Sequence, residues 1–224
     1  MTSTADRLFD PAFKTDPIIV EHASVAIDAV YNGLSLELDL TSDTISILDY
    51  YVTTVGKVDR SILFLLSSAT GAYFGELMRR ILGGVWVIPS EIDPFLWELR
   101  FSSCPMSIFP VAIAAEVLAR EVVDEIDSSF CVAPSRVALM EEMLDKAIKV
   151  TEEEYFSFAG RVDAIEMGVD FLSRVEIALA EKVGVKPVVF GDEDPMLVAC
   201  IPLSVMDAPA KPARKPRKKR SETE

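Results

Sequence analysis

Apolar residues recur at the spacing of an amphipathic helix over most of the chain. Asp16 followed by Pro17 has the form of a helix N-cap and first turn, and Gly83–Gly84 offers the positive φ of a helix end. Asp59 and Thr151 are further predicted N-caps, Thr151 in a capping box with Glu154. In the helix that Pro110 opens, Glu116 is predicted to lie on the outer face with other charged residues. The pattern predicts helices over residues 17–33, 42–56, 59–82, 110–126, 134–150 and 151–184.

Shorter stretches alternate apolar with polar residues, which is the period of a half-buried strand. Val85–Ile88 and Phe95–Ser102 flank a proline-containing turn and predict a hairpin. Leu34–Leu40 is either a strand or an extended link, and residues 185–190 and 196–201 are two further predicted strands. Because strands and helices do not alternate as βαβ units, the pattern disfavours a Rossmann fold. It predicts an α+β protein, mostly helical with a small antiparallel sheet.

Charge and composition divide the chain into three parts. Residues 1–15 are polar and interrupted by proline, so we expect a flexible N-terminus. Residues 16–207 are predicted to form a single acidic α+β domain. Residues 208–224 are rich in proline and bases, cannot build a core, and are expected to be a disordered tail. The segment from Lys211 onward carries a net charge of +5, so the preceding residues carry −19 of the overall −14.

The basic tail has three possible roles. It can contact a nucleic acid or another anionic partner, contact the acidic body of the same chain, or only keep the protein soluble. Since an acidic body repels polyanions, any nucleic-acid contact would come from the tail and would be weak and steeply salt-dependent. The bases in question are Lys211, Arg214, Lys215, Arg217, Lys218, Lys219 and Arg220.

Few residues of the chain suit common catalytic or metal chemistry. His22 is the only histidine, which excludes three-histidine metal sites, and no G-x-S-x-G elbow accompanies it. Cys104, Cys131 and Cys200 are far apart and form no C-x-x-C pair, so we expect reduced cysteines in the core. The acidic turn over residues 191–195 lacks the ligand spacing of an EF-hand. We assign no catalytic residue, no metal ligand and no cofactor.

The apolar segments bear on where the protein resides. Asp6, Asp10 and Asp16 interrupt the N-terminal residues, unlike a secretory signal. Ser61–Gly75 is the most apolar stretch, but it is shorter than the roughly 20 residues of a spanning helix. We therefore predict a buried core helix there, no membrane span and a cytoplasmic location.

The most distinctive stretch of the sequence runs from Gly71 to Trp86. Ser67, Gly71 and Gly75 lie four apart on one helix face, where small side chains let another backbone approach closely. Glu76 can pair with Arg79 or Arg80 one turn later. The stretch is predicted to be either a tightly packed helix end or a site for a ligand or partner. Five residues are candidates for such a site, namely Tyr73, Glu76, Arg79, Arg80 and Trp86.

This stretch resembles a motif, G-x-Y-x-G-E-x-x-R-R-x-x-G-G-x-W, of uncharacterised small acidic bacterial proteins. The resemblance implies a non-enzymatic protein, with a link to toxin–immunity systems, and supplies no catalytic residue. The matching positions are Gly71, Tyr73, Gly75, Glu76, Arg79, Arg80, Gly83, Gly84 and Trp86.

These observations favour a non-enzymatic interaction protein of bacterial type, an adaptor or immunity-like protein that binds a protein partner through its acidic body. An acidic surface speeds the encounter with a basic partner. One alternative is a regulatory factor that the basic tail recruits to nucleic acid or to a scaffold. Another is an enzyme that works without histidine, using carboxylates or Cys131.

Overall fold

Helices form most of the chain that the computed structural model describes, namely residues 9, 13–123, 126, 128, 130–147, 149–191 and 199–201. Short 3₁₀ turns lie at Ser42–Thr44, Pro94–Leu96 and Pro134–Arg136. The predicted tail, residues 208–224, lies outside the described residues. The helices are α1 (Pro17–Leu34), α2 (Ile45–Val55), α3 (Arg60–Leu82), α4 (Pro110–Ala119), α5 (Val137–Lys146), α6 (Glu152–Tyr155) and α7 (Phe158–Val183).

The predicted caps at Asp16, Asp59 and Thr151 and the predicted helix end at Gly83 are confirmed, whereas the helix predicted over 42–56 begins only at Ile45 and the one predicted over 151–184 is divided into α6 and α7. The Asp16 carboxylate accepts a hydrogen bond from the Ile18 amide, and Asp59 accepts from the first free amides of α3. Thr151 and Glu154 form the reciprocal capping box before α6. Gly83 ends α3 with a φ of 73°, a conformation that costs glycine little.

Among the described residues, the sheet has five short strands in the order β1-β2-β3-β4-β5, and every neighbouring pair is antiparallel. The predicted hairpin is confirmed, with Trp86 opposite Leu99. An α+β fold, mostly helical with a small antiparallel sheet, is therefore what the chain adopts. The strands are β1 (Gly84–Val87), β2 (Glu98–Phe101), β3 (Met106–Ile108), β4 (Phe130–Val132) and β5 (Ala199–Ile201).

Helix α3 lies at the centre of the fold, between α1 and α4, and also contacts α7 and the first two strands. The close approach predicted for its small residues is confirmed. A Cβ atom added at Gly71 would lie 2.6 Å from the Val111 Cα, so glycine there lets the first turn of α4 cross α3 almost backbone to backbone. A Cβ atom added at Gly75 would overlap the Trp86 indole and lie 2.7 Å from the Pro110 Cγ, so glycine there makes room for two side chains.

A carboxylate of α2 binds the backbone amides at the start of α7. Asp49 of α2 accepts hydrogen bonds from the amides of Phe158 at 2.6 Å and Ala159 at 3.0 Å. These amides belong to the first turn of α7, where backbone donors lack helical partners. Burial raises the pKa of Asp49 despite these hydrogen bonds and the nearby charge of Arg120.

The predicted helix over residues 110–126 is too long. Helix α4 ends at Ala119, and Arg120 takes a left-handed φ of 52° that closes the helix. The helix predicted over residues 134–150 is likewise divided, since a 3₁₀ turn precedes α5 and Ala147 ends it. Apolar periodicity continues past both ends, so it could not show where the backbone leaves the helix.

The strand predictions are partly wrong. Of the segment Leu34–Leu40, Leu34 ends α1 and the residues after it form a link, one of the two structures predicted there, which buries Leu38 and Leu40. The predicted strand over 95–102 begins only at Glu98, because Asp93 caps a 3₁₀ turn by accepting from the Phe95 amide. Residues 185–190 form no strand, although the Phe190 amide donates to the Ser102 carbonyl. Of residues 196–201, only 199–201 are described, and they form β5.

Candidate functional site

The two arginines of the Gly71–Trp86 motif converge on one carboxylate. Glu76 is fully buried near the end of α3. Arg79 binds it through both oxygens, with Nε 2.8 Å from Oε2 and Nη2 2.8 Å from Oε1. Arg80 donates from Nε to Oε1 at 3.0 Å. The sequence offered one or the other arginine as the partner, and the structure uses both.

Two further donors come from outside α3. The Trp86 indole donates to Glu76 Oε2 at 3.2 Å, and the Thr15 hydroxyl donates to Oε1 at 2.8 Å. Burial alone raises the pKa of Glu76, but Arg79, Arg80 and Thr15 outweigh it, so the pKa lies below its ordinary value. The carboxylate is therefore held ionised, which suits an anchor better than a proton donor.

The N-terminal segment is part of the same cluster. Arg79 Nη2 donates to the Phe13 carbonyl at 3.0 Å. The Arg80 guanidinium lies 4.2 Å from the centre of the Phe13 ring and 5.4 Å from that of Phe9. These residues lie within the segment 1–15 that the sequence predicts to be flexible, and each of them contacts α3.

Tyr73 does not join the Glu76 cluster. Its buried hydroxyl accepts from the Leu40 amide at 3.1 Å and lies 3.3 Å from the Thr44 hydroxyl. Leu40 has a left-handed φ of 59°, which is uncommon for a branched side chain. Burial raises the pKa of Tyr73, so the phenol stays protonated. Tyr73 thus holds the link between α1 and α2 against α3.

A second buried ion pair was missed by the sequence reading. Glu116, predicted on the outer face, is buried, and that prediction is wrong. Arg161 of α7 donates to Glu116 Oε2 at 2.9 Å, and the Ser128 hydroxyl donates to the same oxygen. Arg161 also donates to the Tyr155 carbonyl and lies over the Tyr155 ring at 3.9 Å. Because Glu116 and Arg161 are far apart in the sequence, no local pattern of residues predicts that they pair.

A groove lies beside α3 that the sequence pattern did not predict. It has a volume of about 890 Å³ and lies between the first half of α3, the 3₁₀ turn at Pro94–Leu96, and α4. We call it the α3–α4 groove. Its rim carries one base and two acids, and its floor is apolar. It is lined by Arg60, Leu63, Phe64, Asp93, Phe95, Leu96, Phe109, Ala112, Ala115, Ala119, Glu121, Val123 and Ile126.

Large apolar side chains around this groove reach solvent. Phe64 is 46% exposed and Leu96 47% exposed, and both line the groove. On the neighbouring face of α3, Ile62 and Leu65 are also exposed. Neighbouring exposed apolar side chains such as these, with charged residues around them, are typical of interaction sites. The sequence signal for this exposed surface is the apolar run Ile62–Leu66. The sequence analysis predicts a buried core helix there, and for these first turns of the helix that prediction is wrong.

A smaller groove of about 500 Å³ separates α5 from α7. Its floor includes Met143 and Phe171. An ion pair lies along each wall, Lys146 with Glu142 at 2.5 Å and Arg174 with Asp170 at 2.8 Å. Both pairs are exposed, so they add little stability, and they leave this groove with balanced charge.

Reactive side chains lie away from the α3–α4 groove. The His22 ring meets Trp97 edge-on at 4.9 Å, and burial lowers its pKa. Burial raises the pKa of the Cys104 thiol to about 12. In the described part of the chain, no group of three or more His, Cys, Asp or Glu side chains could hold a metal ion.

Comparisons of the chain with protein-family models, with curated proteins and with solved structures give no match. The resemblance of the Gly71–Trp86 motif to small acidic bacterial proteins therefore stays a prediction. By length and composition α3 could cross a membrane, with a mean hydropathy of 1.2, but 67% of its most apolar window is buried. A core helix passes the same test, and the predicted location also stays a prediction.

Proposed function

We propose that this protein is a binding module for a protein partner and that the α3–α4 groove is the binding surface. The main observation behind the proposal is the exposed apolar first half of α3. Phe64 of this helix and Leu96 of the 3₁₀ turn Pro94–Leu96 line a groove of about 890 Å³ and are exposed to solvent. The Glu76 cluster has a different role. Its carboxylate is occupied by donors of this chain, so it anchors the N-terminal segment.

The occupant that fits the groove is an amphipathic helix with basic residues beside its apolar face. Two of the walls are helices, and an apolar helix face fills such a groove with side chains one turn apart. Asp93 and Glu121 stand on the rim beside Arg60. The body of the chain carries a net charge of −19 before Lys211, so bases flanking the apolar face would also speed the encounter.

The lining supports binding over catalysis. Among the described residues that line the groove, only Arg60, Asp93 and Glu121 are able to ionise, and all three side chains belong to exposed residues. Aromatic and aliphatic side chains dominate, as they do at the anchor points of protein interfaces.

The test uses the full chain as bait in lysate with and without nuclease treatment, as the wild type and in three variants. Phe64→Asp places a charge in the groove. Ile177→Asp is the matched control, because Ile177 is exposed to a similar extent at 45% but lies on α7 away from the groove. The third variant replaces the seven tail bases with Gln. We expect one protein whose recovery falls at least tenfold with Phe64→Asp and is unchanged in the other two variants.

The captured protein is then purified and mixed with the bait. We expect a stoichiometric complex in which hydrogen exchange slows over residues 60–66 and 94–96. Equal recovery with Phe64→Asp and wild type overturns the proposal. Recovery that depends on the tail bases, or that nuclease abolishes, favours the alternative of a tail-recruited factor.

A further inference from the structure

The smaller groove between α5 and α7, which we call the α5–α7 groove, has an apolar floor that is open to solvent. Its volume is about 500 Å³. Leu139 of α5 is 38% exposed and Met167 of α7 is 39% exposed, and both line the groove together with Met143 and Phe171. Apolar side chains gathered in one groove mark a docking surface more often than scattered ones do.

The surroundings of this groove are acidic. Residues 137–170, which contain α5, α6 and the first half of α7, hold nine acids and three bases, a net charge of −6. Ion pairs along the groove neutralise Glu142 and Asp170. An occupant with apolar residues followed by bases would therefore complement both the floor and the acids beside it. Three exposed acids near the groove have no ion-pair partner among the described residues, namely Glu141, Asp145 and Asp163.

We propose that the occupant is the C-terminal segment of the same chain, residues 202–224, which lies outside the described residues. Its sequence has the two required parts in the required order. Residues 203–206 contribute three apolar side chains, and residues 211–220 contribute seven bases. The apolar side chains would cover the floor of the groove, and the bases would pair with the exposed acids.

The chain leaves the sheet close to this groove. β5 ends at Ile201 and contacts α5, which is one of the two walls. Nine residues separate Ile201 from Lys211 and span up to about 30 Å when extended, whereas the ten residues of α5 are about 15 Å long. The bases can therefore reach the acids along α5.

A tethered occupant has two advantages over a separate molecule. The short connection to β5 holds the tail at a high effective concentration beside the groove, which a free partner lacks. A second copy of the chain would bring another net charge of −19 on the residues before Lys211, and the two acidic bodies would repel each other.

Docking of this kind would make the tail self-masking. The seven bases can contact the acidic body or an external polyanion but not both at once, so a polyanion has to displace the tail before binding it. The acidic body would thereby oppose non-specific contacts between the tail and nucleic acid.

The test cross-links the full-length protein with a water-soluble carbodiimide, which joins a lysine amine to a carboxylate in direct contact. An equal mixture of ¹⁴N-labelled and ¹⁵N-labelled chains separates links within one chain from links between two chains. We expect the links from the four tail lysines to lie within one chain and to fall mainly on the acids beside the groove. These acids are Glu141, Glu142, Asp145, Asp163 and Asp170.

Four variants sharpen the test. Met167→Lys places a base on the floor and should reduce these links at least fivefold, because it repels the tail. Leu203→Ser should also reduce them, because it removes an apolar side chain from the occupant. Val25→Lys is the matched control, since Val25 is 46% exposed but lies on α1 and does not line the groove. Phe64→Asp, in the α3–α4 groove, should leave the links unchanged, so that this proposal and the proposed function can fail separately.

Three results would overturn the proposal. Links spread evenly over exposed acids on every face, including Asp28 of α1, would mean that the tail is attracted to the body without a docking site. Links formed mainly between two chains would make a second copy the occupant. A complete lack of links from the tail lysines to the body would mean that the tail does not cover the groove. All three are read from the unsubstituted chain.

Discussion

The two ends of α3 differ in how far they are buried. Near its start, Ile62, Phe64 and Leu65 are apolar and exposed. From Ser67 to Met78 every residue is buried, including the polar Ser67, Thr70 and Glu76. Since apolar residues usually lie inside and polar ones outside, the start of the helix departs from the rule by exposing apolar side chains and the buried stretch by enclosing polar ones.

The buried stretch Ser67–Met78 shows how enclosed polar groups are stabilised. Its buried hydroxyls donate to the helix's own carbonyls, Ser67 to Leu63 at 2.6 Å and Thr70 to Leu66 at 2.7 Å. Glu76 has donors from α3, β1 and the N-terminal segment. Each of these buried polar side chains of α3 therefore has a partner within the protein. The exposed apolar groups of the first half have no such internal explanation, which is why they carry the proposed function.

The largest expected effect in the second half comes from Glu76→Ala. It would leave two mostly buried arginines, Arg79 and Arg80, without their carboxylate, and breaking a buried pair from one side costs about 3–5 kcal/mol. Urea unfolding measures the loss. Asp163→Ala, at an exposed acid on α7, is the control and should change stability by less than about 0.5 kcal/mol. Equal losses in the two variants would mean that the cluster contributes no particular stability.

Gly71→Ala should have the next largest effect. The added Cβ meets the Val111 Cα at 2.6 Å, so two backbones must separate. Overpacking of this kind costs about 1–3 kcal/mol, from which the better helix propensity of alanine recovers about 0.5–1 kcal/mol. Gly33→Ala in α1 is the matched control, since its Cβ would meet only the movable Tyr51 ring at 3.2 Å. A thermal melt that ranks Gly33→Ala as the more harmful variant would contradict the packing argument.

The loss of folding stability at low pH should also depend on the second half of α3, through Glu76. Because the pKa of Glu76 is lowered in the folded state, its contribution to stability is present above the unfolded pKa of about 4.3 and is lost as the pH falls through the folded value. Wild type should therefore lose more stability than Glu76→Gln between pH 6 and pH 3. Urea midpoints across this range give the difference, and parallel curves for the two proteins would refute the assignment.

Local and long-range features differ in how far the sequence reveals them. The caps at Asp16, Asp59 and Thr151 were predicted because each signal lies within a few residues of its effect. The pair Glu116–Arg161 was not, since its members are on different helices and only the folded chain brings them together. Glu76 combines both kinds of contact. Its arginines lie one helical turn away and were predicted as partners, whereas its hydrogen bond with Thr15 could not have been inferred from the sequence spacing.

The smallest expected effect on stability lies in the first half of α3 and separates the two halves most cleanly. Leu65 is 58% exposed, so Leu65→Gln should change the unfolding free energy by about 0.5 kcal/mol or less. Leu77, three turns later on the same helix, is fully buried, and Leu77→Ala should cost about 2–5 kcal/mol. Urea unfolding compares the two leucines directly. If Leu65→Gln is as damaging as the core substitution, its side chain stabilises the isolated protein and the first half of α3 is not available to a partner. If stability is unchanged while binding weakens, the exposed apolar surface serves recognition.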